Sequence, residues 1–160
     1  MFLWWSDPYT WITIAAIVAT ALLAFRLLYL FLKHGRPQVQ LNDLKGRPIL
    51  LDFWATWCGP CRASEPALNA LSKEHLEKGL TLARISGDED VAKWRRYLLA
   101  HPSHGLEALD RDSVAAEAFG VRDRPTFVLI DGDGVVRWRQ HGWTPYSYFI
   151  LRHALTRVLG

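Results

Sequence analysis

Leu51-Asp52-Phe53-Trp54-Ala55-Thr56-Trp57-Cys58-Gly59-Pro60-Cys61-Arg62 holds both cysteines of this 160-residue chain. Two sulfurs separated by two residues can close into a small ring and reopen, which is the chemistry of thiol–disulfide exchange. The same spacing would serve half of a zinc site. No second cysteine pair completes one, and His75, His101 and His104 do not sit at the short return spacing such sites use. Haem attachment requires a His directly after the second Cys, where this chain has Arg62. A structural bridge over so short a loop restrains little chain entropy. The pattern points to redox exchange, with no metal and no organic cofactor.

Pro48 to Trp54 is a short apolar run rich in strand formers, and the residues after Cys58 read as a helix. A strand feeding the motif and a helix leaving it put Cys58 at a helix N-terminus. Unpaired N–H groups and the dipole there favour a thiolate. Cys61 lies one turn further in, more buried and harder to deprotonate. Cys58 is therefore the attacking sulfur and Cys61 the one that resolves the mixed disulfide.

Upstream, Thr10 to Leu32 is apolar apart from a few hydroxyls and Arg26. As a helix it covers roughly 34 Å, enough to cross a bilayer. Trp4, Trp5, Tyr9 and Trp11 crowd one end and Tyr29 lies near the other, as interfacial belts do, while Arg26 is close enough to the C-terminal edge to snorkel. No basic region leads the segment and no clear small-residue cleavage site follows, so it reads as an anchor rather than a signal peptide. No polar face marks it as a helix of a soluble core. This divides the chain into an anchor at 1–35, with its span at about 10–32, and a domain at 36–160. Lys33, His34, Arg36, Lys45 and Arg47 follow the span; taken strictly, the positive-inside rule keeps the domain in the cytoplasm. With 19 basic and 16 acidic residues the net charge is only +3, and no basic stripe supports nucleic-acid binding.

Past a linker at His34–Gln38 and a turn at Asn42–Arg47, strands and helices alternate. The pattern predicts a helix from Gly59 to about His75, kinked at Pro66, with Ala67, Leu68 and Leu71 inward. It predicts a strand at Leu80–Ile85, a helix after Asp88-Glu89-Asp90 carrying Val91, Trp94 and Leu98, a brief strand at Leu106–Leu109 and a short helix at Ser113–Phe119 ended by Gly120. A hairpin follows: strand Thr126–Ile130, turn Asp131–Gly134, returning strand Val135–Gln140. A helix from Pro145 to Leu159 closes the chain. The fold class is α/β, a mixed central sheet with helices on both faces. Trp94, Trp138 and Trp143 read as packing residues.

Three segments resemble the thioredoxin superfamily: Leu51–Arg62, the Glu65-Pro66-Ala67-Leu68 continuation, and Gly120-Val121-Arg122-Asp123-Arg124-Pro125-Thr126 with the strand after it. With the preceding transmembrane helix, the chain is similar to the membrane-tethered TlpA/ResA-type branch. The resemblance implies a thioredoxin fold from about Leu41 onward. It implies that Cys58 is the nucleophile and Cys61 the resolving thiol, joined as a redox-active disulfide. Pro125 would be cis and face the sulfurs, with Trp57, Gly59, Pro60, Arg124 and Gly142 forming the substrate surface. It also implies disulfide-containing protein substrates, a membrane-embedded thiol electron donor, and a domain on the periplasmic side of a bacterial inner membrane, against the flanking charges. Gly-Pro between the cysteines accompanies the reductants. Arg124 stands where the family more often has Thr, Ala or Ile, and a cation there would either meet the sulfur pair or turn outward. Asp52, as in thioredoxins proper, stands on an apolar strand, an expensive place for a carboxylate. It is either a satisfied edge-strand residue or a buried acid of raised pKa that shuttles the proton of Cys61. A tethered binding module without turnover, or metal delivery through the cysteine pair, are the competing functions.

Overall fold

A computed structural model describes residues 8–34, 44 and 46–160. The expectations for Trp4, Trp5, residues 35–38 and residues 42, 43 and 45 fall outside the described residues, as do the side chains of Tyr9, Trp11, Lys33 and His34. The chain forms two compact units that divide between residues 40 and 41.

In the first unit, helix α1 spans Pro8–His34. Its Ile12–Tyr29 window has a mean hydropathy of 2.1 and none of it is buried. Length and composition make it a candidate transmembrane span. Thr20 turns its hydroxyl back onto the carbonyls of Ala16 and Ile17, at 3.0 and 2.9 Å, so the polar group is satisfied within the helix.

The second unit is a five-stranded mixed sheet in the order β3-β2-β1-β4-β5. Strand β1 (Ile49–Trp54) is central, parallel to β2 (Thr81–Ser86) and antiparallel to β4 (Thr126–Ile130). Strand β3 (Leu106–Leu109) extends the parallel half, and β5 (Val136–His141) the antiparallel half. The hairpin turn between β4 and β5 is tied by Asp131, whose Oδ1 accepts the N–H groups of Asp133 and Val135.

Alternation along the strands divides two cores. Leu50 and Leu82 face helix α2 (Gly59–Glu74) through Leu68 and Leu71, and helix α5 (Ser147–Leu159) through Leu151 and Leu155. Ile49, Leu51 and Phe53 face the other way, towards Ala116 of the short helix α4 (Val114–Ala118). Helix α3 (Val91–Ala100) brings Trp94 against Trp54 and both cysteines. Both faces are therefore covered, in a thioredoxin fold. Trp138 and Trp143 are partly buried against the first core.

Several details differ from the pattern reading. The inward face of α2 is Cys61, Ser64, Glu65, Leu68, Leu71 and Ser72, with Ala67 only half-buried, because a cluster of polar groups lies beneath it. Helix α4 begins at Val114 because the Asp110 carboxylate, not Ser113, accepts the N–H groups of Ala115 and Ala116. Helix α5 begins at Ser147, whose hydroxyl accepts the Thr144 N–H at 2.9 Å. Asp52 is no edge residue, since β1 lies in the middle of the sheet.

Phe127 is fully buried and packs edge-on against Trp143 at 5.8 Å. Phe127→Ala should cost about 3–5 kcal/mol in urea unfolding. Leu99→Ala, at a side chain that is 86 % exposed, should stay within about 0.5 kcal/mol of the parent.

Candidate active site

The chain leaves β1 at Trp54 and turns sharply, with the Cys58 N–H bonded to the Ala55 carbonyl at 3.1 Å. Cys58 caps helix α2 in an extended conformation, and Pro60 sits in the first turn, where its missing N–H removes no helical bond. The Cys61 N–H points at Cys58 Sγ, 3.2 Å away. A sulfur that receives a helix N-terminal N–H is one whose thiolate is stabilised. Cys58 and Cys61 are joined in a disulfide, with Cα atoms 5.2 Å apart. Cys61 is fully buried and Cys58 nearly so, whereas Gly59, Pro60 and Trp57 are exposed, Trp57 at 61 %.

Facing the sulfurs is the loop before β4. The Arg124–Pro125 peptide is cis. The Arg124 carbonyl oxygen lies 3.6 Å from Cys58 Sγ, and the Pro125 carbonyl accepts the Gly142 N–H at 2.8 Å. Cys58, Pro125 and Gly142 thus line one edge. The Arg124 side chain is half-buried. It lies across Gly87, where a Cβ would stand 2.3 Å from its Nη2.

Beneath the motif the structure brings together charges that the sequence reading did not connect. Parallel register sets Asp52 of β1 beside Arg84 of β2, and Arg84 beside Glu107 of β3. Glu65, one turn beyond Cys61 on α2, reaches the same guanidinium. Arg84 donates to Asp52 at 3.1 Å, to Glu65 at 3.0 Å and to Glu107 at 3.2 Å, and its Cζ stacks 4.1 Å from the centre of the Trp54 ring. Tyr97 donates its hydroxyl to the other oxygen of Glu65 at 2.7 Å.

Burial pushes the Asp52 carboxyl up to about 6 despite the pull of Arg84, with Glu65 adding to the rise. Burial likewise raises Glu107 to about 7, against Arg84 and a Ser103 hydrogen bond, with Asp52 and Glu65 adding to the rise. Burial alone would lower Arg84, but its three carboxylate neighbours outweigh it and raise the guanidinium further. Burial and the bond to Glu65 push Tyr97 up to about 12.

A second polar group fixes the loop that carries the motif. Asp88, just after β2, accepts the Thr56 N–H at 2.8 Å, the Thr56 hydroxyl at 2.6 Å and the Ser86 hydroxyl at 2.6 Å, and it is almost fully buried. A carboxylate with three donors is satisfied without a cation. Charged residues inside short apolar strands, Arg84 in Leu80–Ile85 and Glu107 in Leu106–Leu109, were the available signal for the first group. Asp88 was marked only as one of three acids before a helix, and its partner Thr56 lies on the far side of a helix and a strand.

The family pattern described as Redoxin matches residues 21–147. The chain is 33 % identical over 99 residues to the thiol-disulfide oxidoreductase ResA of Bacillus anthracis, covering 62 % of this chain and 57 % of that protein. It is 35 % identical over 105 residues to the thiol:disulfide interchange protein DsbE of Pseudomonas fluorescens biotype C, covering 65 % and 57 %. It thus spans a little over half the length of these curated relatives. Among solved structures, one assigned as a thiol:disulfide interchange protein DsbE from Chlorobium tepidum superposes with a TM-score of 0.74 at 32 % identity, over 76 % of this chain and 86 % of that one.

Two outcomes follow for stability. Asp88→Ala strands the Thr56 and Ser86 donors and should cost about 2–3 kcal/mol in denaturant titration. Asp52 holds its proton more tightly folded than unfolded, so its contribution is full below about pH 4 and is lost as pH rises through about 6. A rise of about two units corresponds to on the order of 3 kcal/mol. Stability should fall over that window, and Asp52→Asn should flatten the fall.

Proposed function

This chain belongs to the Redoxin family, and on that footing we propose that it is a membrane-tethered thiol:disulfide oxidoreductase that mainly reduces disulfides in protein substrates. The observation that carries the reading is the position of Cys58: its sulfur caps α2, receives the Cys61 N–H, and faces the Arg124–Pro125 edge.

In the reduced protein, the Cys58 thiolate attacks one sulfur of a substrate disulfide. The other substrate sulfur leaves as a thiolate and takes a proton from water. Cys61 then gives its proton to the Asp52 carboxylate and attacks Cys58 Sγ. The second substrate thiolate is released, and two electrons have passed from the dithiol to the substrate while the Cys58–Cys61 bond forms. An extended substrate segment lies along the edge made by Pro125, Gly142 and Trp57, with Gly59 and Pro60 completing the rim and Arg124 contributing its carbonyl. Gly-Pro between the cysteines favours the reducing direction.

The candidate span α1 supports tethering in the bacterial inner membrane. We assign the domain to the periplasmic side by its likeness to ResA and DsbE proteins, with electrons supplied by a membrane-embedded thiol donor. Fusion of the C-terminus to alkaline phosphatase should give activity, and a fusion active only in the cytoplasm should stay silent. The reverse result puts the domain inside.

Five measurements test the activity. The full chain in detergent should reduce insulin, and Cys58→Ser should abolish the reaction; an inert parent chain is the behaviour of a binding module. Tight copper(I) binding lost in Cys58→Ser would instead indicate metal delivery. Cys61→Ala should accumulate mixed disulfides with substrates. Asp52→Asn should slow the resolving step while leaving the Cys58 thiolate titration nearly unchanged. A reduction potential above about −150 mV would reverse the assigned direction.

A further inference from the structure

Asp52 is fully buried, so a proton that it takes from Cys61 has no direct route to water. Its surroundings are settled by four elements. From β2, Arg84 gives the cluster its single cation. From α2, Glu65 approaches the same guanidinium and is bonded outward to Tyr97 of α3. From β3, Glu107 binds Arg84 and takes the Ser103 hydroxyl at 2.7 Å. From β4, the register partner of Asp52 is Phe127, which offers only carbon.

Three carboxylates and one guanidinium would leave two uncompensated negative charges in a buried site if all were ionised. Such a group keeps protons rather than carry that charge. The donors are unevenly used. Among the described residues, Glu65 and Glu107 both draw on Arg84 Nη1, Arg84 Nη2 donates to no oxygen, and Asp52 Oδ1 and Glu107 Oε2 have no hydrogen-bond partner. Oxygens without donors are where a carboxylic acid's proton sits at least cost. Both of these oxygens are buried, but the Glu107 side chain is 16 % exposed and that of Asp52 0 %, so Glu107 stands nearer to solvent.

We propose that Glu107 is a positioning residue for the resolving step, acting through Arg84 to balance the charge on Asp52 and exchanging with water the proton that Asp52 cannot. The proposal rests on the proton-relay reading of Asp52. Cys61 S–H gives its proton to Asp52, which loses a negative charge. Glu107 releases its own proton to water and restores that charge. When the disulfide is reduced again, Asp52 returns its proton to the Cys61 thiolate and Glu107 regains one from water. No proton passes through Arg84, which stays charged throughout. The two carboxyls titrate as one coupled system, and each midpoint depends on the state of the other.

The test uses the full chain in detergent micelles. The Asp52 carboxyl is titrated by 13C NMR in the disulfide form, and insulin reduction is followed across pH. In Glu107→Gln the Asp52 midpoint should fall by about one pH unit, a tenfold loss of proton affinity, and the matching limb of the rate profile should move with it. Glu107→Asp, which keeps the charge, should restore most of the shift. Ser103→Ala, a milder change that disfavours the ionised Glu107, should lower the midpoint in the same sense by less, and it serves if Glu107→Gln does not fold. An Asp52 midpoint that stays put in the folded variants overturns the proposal. If Asp52→Asn removes the limb while that midpoint is unmoved, the proposal alone falls and the relay stands. If Asp52→Asn leaves the rate profile untouched, the relay reading falls, and with it the role given to Glu107 in turnover.

Discussion

The Arg84 guanidinium makes the interior beneath the cysteines possible. Parallel strands in register place Asp52, Arg84 and Glu107 side by side, and α2 lowers Glu65 onto the same cation. Any one of these carboxylates would be costly in an apolar layer between a sheet and a helix. Together with one delocalised cation bedded on the Trp54 ring they become tolerable, though not neutral, and burial with the remaining imbalance raises Asp52 to about 6 and Glu107 to about 7. A lysine in the same place would offer a point charge in place of a planar fork that reaches three partners. The geometry of the sheet thus determines the acid–base character of the site, before either sulfur is considered.

A second arrangement does the complementary work of holding the sulfurs still. Asp88 ties Thr56 by both its N–H and its hydroxyl, and the Gly87 N–H meets the Trp54 carbonyl at 2.9 Å. The end of β1 and the end of β2 are therefore stitched together just before Cys58. Across the gap, Arg124 rests its side chain on Gly87, so the loop bearing the cis proline leans on the same connection. Cys58 sits between two segments that share one support.

Much of this was legible from residue order. The apolar run at Pro48–Trp54, the two cysteines and the Thr126–Ile130 strand are local signals, and each determined its element closely because strand propensity, turn chemistry and capping agreed there. The boundaries of α4 and α5 slipped for a physical reason: the first N–H groups of α4 are met by Asp110, and the Ser147 hydroxyl holds the Thr144 N–H in the turn before α5. Asp52 stood out as a misplaced charge, but its partners come from residues 13, 32 and 55 positions further along, set beside it only by sheet register and helix docking. A single chain of letters marks such residues as odd without saying that they are odd for one shared reason. Asp88 was less visible still, since an acid before a helix reads as an ordinary cap, and that task belongs to Asp90.

Glu65 looks in two directions. One oxygen holds Arg84, and the other accepts from Tyr97, whose ring stacks on His101 at 4.1 Å along a trough of about 650 Å³ that begins at Gly59 and Arg62. That trough is the outer wall of the acid layer. An occupant displacing its water would alter the solvation of Tyr97 and Glu65, which stand three and two hydrogen bonds from Asp52. By thermodynamic reciprocity, whatever such an occupant does to the proton inside, the proton inside does to its grip.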